Sequence, residues 1–180
     1  MRKEFAVLAV GCLTLGLMAA LGSAQGDKAS RPSPPAQAKC DLGGGKTITV
    51  DYSSPRVRGR KIFGEHEPYG KVWRAGANEA TTFATSSDLL VQGKTVPAGA
   101  YTIFTVPAPD KWTLIINKKT GEWGIPYKYE KDELARDDMK VSTLPNPVEN
   151  FTISYDRSGN GCSLQMDWET TRASLDLIPK

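Results

Sequence analysis

Apolar and polar residues alternate with a period of two in several short stretches of the chain. Over residues 46–52, Ile48, Val50 and Tyr52 share one face, and over 151–155 Phe151, Ile153 and Tyr155 do so with Thr152 and Ser154 opposite. Residues 173–178 alternate in the same way. This is the pattern of strands buried on one side. Residues 101–106 and 111–117 are apolar on both parities, which suits central strands covered on both faces. Turn chemistry separates these runs: Gly43-Gly44-Gly45, Gln92-Gly93-Lys94, Pro97-Ala98-Gly99, Pro107-Ala108-Pro109-Asp110 and Arg157-Ser158-Gly159-Asn160-Gly161. There Gly supplies positive φ and Pro presets a turn. The result is a chain of hairpins: an all-β antiparallel sandwich or partly open barrel of about eight to ten short strands, with little helix. Residues 64–80 and 118–133 have no sustained alternation, the second with a helical turn near 129–135. Loops of that length in a compact domain often carry function.

The N-terminus departs from this pattern. Arg2 and Lys3 precede an uncharged run from Phe5 to Leu21 and the small triplet Gly22-Ser23-Ala24, the order of features in an export signal. Glycines within the run, and no basic cluster after it, favour a cleaved signal over a membrane anchor, so no stable membrane insertion is expected after cleavage. Residues 25–39, with Pro32, Pro34 and Pro35 among Ser, Ala, Lys and Gln, read as a flexible tether. Residues 40–180 then form one β-rich domain. The expected location is exported, either periplasmic or secreted. Removing residues 1–24 removes Cys12 and leaves Cys40 and Cys162, an even pair in an oxidising compartment, for which a disulfide is the economical reading. Cys162 shares its parity with Leu164, Met166 and Trp168 and should face inward.

Composition narrows the function classes. With 39% hydrophobic and 24% charged residues, global disorder is excluded. Lys+Arg 23 against Asp+Glu 20 gives no basic stripe of the kind nucleic-acid binding uses. Two distant cysteines and one histidine do not make a clustered metal site. No P-loop, G-x-S-x-G or H-E-x-x-H is present, and no cofactor is implied. His66, flanked by Glu65 and Glu67, reads as a solvated loop residue. The densest polar chemistry lies between Asp51 and Thr82. Arg56, Arg58, Arg60 and Lys61 are close in sequence, followed by Trp73-Arg74 and Asn78-Glu79. Guanidinium groups give bidentate recognition of carboxylate or phosphate, and an indole offers a stacking surface. If the two long loops meet, Trp73, Arg74, Asn78, Glu79 and Trp123 flank one cleft, with Arg56 and Arg60 nearby. The competing reading pairs the arginines with acids such as Asp51 or Glu79 and places Trp73 in the core. Trp112 and Trp168 follow core parity.

The runs ITVDYSSPRVRGRKIFG, PYGKVWRAGANEATTF, VPAGAYTIFTVP, KWTLIINKKTGEWG, PVENFTISYD and MDWETTRASL closely resemble the bacterial family catalogued as domain of unknown function 2911. The blocks occur in the family's order and cover nearly all of the chain after residue 24. The resemblance implies an exported β-rich domain without an assigned activity, and it transfers no catalytic residues. Where that family is usually apolar before Pro-Tyr-Gly, this chain has Glu65-His66-Glu67.

The reading that results is a binding or accessory module of the cell envelope, for a polar, anionic or carbohydrate ligand, rather than an enzyme. One alternative is a glycoside-type hydrolase using a carboxylate pair, Asp167 and Glu169, which share the outward parity of their strand at a separation of roughly 7 Å. The other is a structural domain whose sheet edge recruits a protein partner.

Overall fold

The computed structural model describes residues 28–180, so the expected signal segment 1–24 lies outside the described residues. Among the described residues nine strands follow one another: β1 Pro35–Gly43, β2 Lys46–Ser53, β3 Thr82–Thr85, β4 Leu89–Val91, β5 Lys94–Val96, β6 Gly99–Val106, β7 Lys111–Asn117, β8 Glu133–Ser158 and β9 Gly161–Pro179. They form a single antiparallel sheet in the order β1-β2-β3-β6-β7-β8-β9-β4-β5. The described helix is confined to two 3-10 turns, Lys28–Ser30 and Glu130–Asp132. The second falls where a helical turn was expected.

The sheet curls without closing: β1 lies against β8 and β9 but pairs with neither. Its inner face carries the alternating residues of the sequence pattern, with Ile48, Val50, Ile103, Leu114, Leu164 and Met166 all fully buried. The central strands β6 and β7 are covered on the other face as well. There Phe104 and its cross-strand partner Ile115 are buried, and Tyr127 and Tyr129 pack on Phe104 at ring distances of 4.8 and 6.0 Å. The loop between β7 and β8 therefore supplies the second cover that apolar residues on both parities require.

Two expectations need correction. The tether expected over 25–39 is a strand from Pro35 onward, paired with β2. An edge strand tolerates proline because one side of its backbone makes no ladder bonds. The strands are also not uniformly short, since β8 has 26 residues and β9 has 19. They bend through irregular registers between Thr143 and Val148 and between Val148 and Thr152, both on β8. Extra residues on one strand of an antiparallel pair bend it and redirect its side chains. Opposite this bulge, Glu169 adopts a positive φ of 51°, and it pairs with Val148.

A disulfide joins Cys40 on β1 to Cys162 on β9, with Cα atoms 6.5 Å apart and a sequence separation of 122. It ties the free edge of the curled sheet to the β8–β9 hairpin. Nearby, Arg157 donates to the Asp41 carbonyl at 2.7 Å. A cross-link over so long a loop strongly restricts the unfolded chain. Replacing both cysteines with serine is expected to lower unfolding free energy by about 2–5 kcal/mol while keeping the fold, measured by urea denaturation. An unchanged midpoint would contradict the role of this bond in holding the sheet curled.

Candidate functional site

The arginine-bearing segment after β2 leaves the sheet and is strapped onto the β8 bulge. Ser54 Oγ donates to the Phe151 carbonyl at 2.7 Å, and Phe151 N donates to the Pro55 carbonyl at 2.8 Å. Val57 N reaches the Glu149 carbonyl at 2.9 Å, and Arg58 N reaches Glu149 Oε1 at 2.9 Å. Ile62 N donates to Glu169 Oε2 at 3.1 Å. Ile62 and Phe63 are buried, so a tight turn closes at residues 62–67, where Glu67 N donates to the Ile62 carbonyl at 2.9 Å and Gly64 N to the Glu67 carbonyl at 3.0 Å. The chain then returns along β6: Trp73 and Thr105 exchange backbone bonds of 2.7 and 2.8 Å.

Aromatic packing fixes this excursion. Trp73 stacks on Trp168 at 5.7 Å with an interplanar angle of 16° and meets Phe151 edge-on at 4.9 Å. Phe63 meets Trp112 at 4.7 Å. Trp73 is 4% exposed and its Nε1 donates to the Gly76 carbonyl at 3.1 Å. It is a buried wedge between loop and sheet, stacked on Trp168, and not an open stacking platform.

Above this wedge lies a cleft of about 600 Å³. Its polar lining comprises Arg56, Arg58, Arg60, His66, Glu67, Lys71 and Arg74, with Trp73, Trp168 and Ile125 as apolar floor and rim. The two long loops do meet here. Gly124, at φ +92°, has no room for a Cβ, which would lie 2.8 Å from Ala80 Cβ and 3.0 Å from Phe104 Cε1. This close approach lets the Arg74 guanidinium sit 5.1 Å from the Trp123 ring centroid and donate to the Trp123 carbonyl at 3.1 Å. Trp123 is exposed at 55% but lies outside the cleft lining, with Arg74 over its ring.

The expected site residues therefore divide. Arg56, Arg60, Trp73 and Arg74 line the cleft. Asn78 stands behind it, bonding the Ser33 carbonyl at 3.0 Å. Both carboxylate oxygens of Glu79 accept from Arg31 Nη1, at 2.8 and 3.0 Å, and Glu79 pairs with Lys28. It thereby anchors the N-terminal arm, whose Pro32 and Ser33 form one wall of the cleft. Lys61 pairs with Glu65 on the surface. Asp167 and Glu169 are not an open pair on a solvated face. Asp167 is buried and clamped by Arg172 at 2.6 and 2.8 Å, and Glu169 caps Ile62 N. Asp167 keeps regular register with Thr152 and is covered by Arg172, whereas Glu169 lies opposite the bulge. Lys71 and Glu67 carried no signal in the sequence, because the turn at 62–67 that delivers them is built from tertiary packing.

The electrostatics of the cleft are lopsided. Among the described residues, no carboxylate is ion-paired with Arg56, Arg58, Arg60, Lys71 or Arg74. The arginines are held instead by neutral acceptors. Arg56 donates to Ser54 O and Oγ at 3.0 and 2.9 Å, Arg60 to Val57 O and Arg56 O at 3.0 and 2.6 Å, and Arg74 to Asn78 O at 2.5 Å. Arg60 Nη1 also lies 2.9 Å from His66 Nε2. A guanidinium only donates, so this contact requires an unprotonated Nε2 and a neutral ring. In agreement, burial and then the charge of Arg60 hold the His66 pKa below its ordinary value. Burial likewise lowers the pKa of Arg74, opposed by Glu67. Burial pushes Glu67 up from 4.5 to about 7, although the charges of Arg74 and Arg60 pull it down.

With the fold and the cleft defined, the class is that of a β-domain built on one open antiparallel sheet, with a cationic cleft beside its bulged hairpin. Residues 33–177 match the family described as Protein of unknown function (DUF2911), and the chain belongs to that family. No curated protein and no solved structure matches the chain.

Two outcomes follow from this geometry. Trp73→Ala should cost about 3–5 kcal/mol of stability, the range for emptying a large aromatic site, measured by urea unfolding; a cost below about 1 kcal/mol would contradict the wedge. The second concerns pH. Glu67 holds its proton to about pH 7 in the folded state, against about 4.3 in an unfolded chain, so the folded state binds more protons between those values. Its contribution to stability is complete below the unfolded pKa and is lost as pH rises through 7. Glu67→Gln should therefore match the parent at about pH 4 and exceed it at about pH 8 by on the order of 1 kcal/mol, after allowance for solvent screening. Equal stability of the two proteins at the higher pH would contradict the assignment.

Proposed function

We propose that the domain is an exported anion-binding module of the cell envelope. The observation that carries this reading is the set of five cationic side chains, Arg56, Arg58, Arg60, Lys71 and Arg74, lining one cleft without a carboxylate ion-paired to any of them among the described residues. Gathering like charges is unfavourable, and an incoming oxyanion offsets that cost. The arginines are also pre-positioned: backbone carbonyls hold each guanidinium while other N–H donors of its fork stay uncommitted. Phosphate or carboxylate groups fit such donors. A carbohydrate stacking platform has less support, because Trp73 is buried and stacked on Trp168 and Arg74 lies over Trp123. The carboxylate-pair hydrolase also has less support, since Asp167 and Glu169 each hold a structural partner. Export is supported by the charged, apolar and small-residue order of residues 2–24 and by the Cys40–Cys162 bond, which suits an oxidising compartment.

The test is calorimetric titration of the mature domain with inorganic phosphate at low ionic strength. Saturable binding that weakens with salt is expected. Arg60→Ala and Arg74→Ala should each reduce affinity about tenfold or more, the loss typical of a charge-assisted contact. Lys46→Ala, an exposed lysine at the start of β2, should leave affinity unchanged. Absence of saturable binding, or an equal loss from Lys46→Ala, would refute the proposal.

A further inference from the structure

Resting on that anion reading, we infer that Glu67 makes the cleft selective for an oxyanion that carries its own hydroxyl hydrogen, such as monohydrogen phosphate, over one that carries none, such as sulfate. Among the described residues, Glu67 is the one carboxylate in the cleft lining. It lies near enough to Arg60 and Arg74 to feel their charge, yet it is ion-paired with neither, and no side chain among the described residues donates a hydrogen bond to its carboxylate. It is half-buried. The cleft thus offers many donors and a single unengaged anionic acceptor.

A ligand filling the space between these groups presents oxygens to the arginines and must also present something to Glu67. A dianion with an O–H satisfies both, donating to the carboxylate while accepting from the guanidinium groups. A dianion without an O–H places its own oxygens against the carboxylate, leaving a desolvated charge unpaired and facing like charge. Sites with a half-buried polar group discriminate strongly against analogues that leave it unpaired. Shape and total charge do not distinguish the two anions, so the discrimination falls on this acceptor. The other groups facing Glu67 do not supply it: Arg56, Arg58, Arg60, Lys71 and Arg74 only donate, and His66 has its Nε2 lone pair engaged by Arg60.

The experiment compares inorganic phosphate, sulfate and methyl phosphate on the mature domain by calorimetry at about pH 8, where Glu67 is ionised and all three are mainly dianions. Phosphate should bind at least about tenfold tighter than either of the others. Glu67→Gln, whose amide can donate, should bring the phosphate-to-sulfate ratio close to one. Lowering the pH to about 6 protonates Glu67, turning the acceptor into a donor, and should raise sulfate affinity of the parent several-fold but not that of Glu67→Gln. The cationic side chains lining the cleft with Glu67, Arg56, Arg58, Arg60, Lys71 and Arg74, are the same in both proteins. His66, with its pKa held down, contributes equally in both proteins. Equal binding of phosphate and sulfate by the parent would overturn the inference and leave the anion site standing, as would tight binding of methyl phosphate or an unchanged ratio in Glu67→Gln. Binding of none of the three would overturn the anion reading and this inference together.

Discussion

The structure depends on the stack of Trp73 on Trp168. A sheet that curls but does not close leaves a gap beside its bulged hairpin, and the segment between β2 and β3 fills that gap only because Trp73 inserts against Trp168 and Phe151 while Phe63 seats against Trp112. Aromatic rings bury large areas and hold defined mutual angles. The loop they anchor is consequently an extension of the core and not a mobile flap. The cleft floor is the outer edge of this cluster, so the positions of the cationic side chains follow from the packing beneath them.

The bulge in β8 is the second determinant, and it governs charge as well as shape. By bringing Glu149 to Arg58 N and Glu169 to Ile62 N, it uses two carboxylates to satisfy backbone donors of the irregular segment. Glu79 is engaged by Arg31 and Lys28 of the N-terminal arm, and Asp167 by Arg172. These four acids thus have partners other than the cleft arginines. The net excess of positive charge in the cleft is a consequence of how the backbone bonds of this loop are met. Glu67 stands apart because the N–H groups of residues 64–67 bond to carbonyls of residues 61–67, which leaves its carboxyl group half-buried beside the cleft cations.

Much of the sheet was legible because burial on one side imposes a period of two. Ile48, Val50 and Tyr52, the inward parity of Cys162, and the core positions of Trp112 and Trp168 all follow from that rule. It fails where the chain leaves regular pairing. Parity alone puts Asp167 and Glu169 together on a solvated face, but Arg172 covers Asp167 and the bulge lies opposite Glu169. Pro34 and Pro35 suggested a tether, whereas a free sheet edge accommodates them. Trp73 lies in a segment without periodicity, so its burial was open until the fold placed it. Within the site, the clustered arginines were visible as a run of like charge. The arrival of Glu67 and Lys71 beside them depends on tertiary contacts that no local pattern encodes.

The central claim is that the cleft arginines await an anion, whereas Arg31, Arg136 and Arg172 are already paired with carboxylates. Side-chain Nε–Hε resonances followed by NMR during titration with inorganic phosphate address this most directly. The account predicts saturable shifts at Arg56, Arg58, Arg60 and Arg74, with Arg136 and Arg172, both paired to carboxylates, unmoved. Shifts spread evenly over all arginines, or none in the cleft at saturating phosphate, would contradict it.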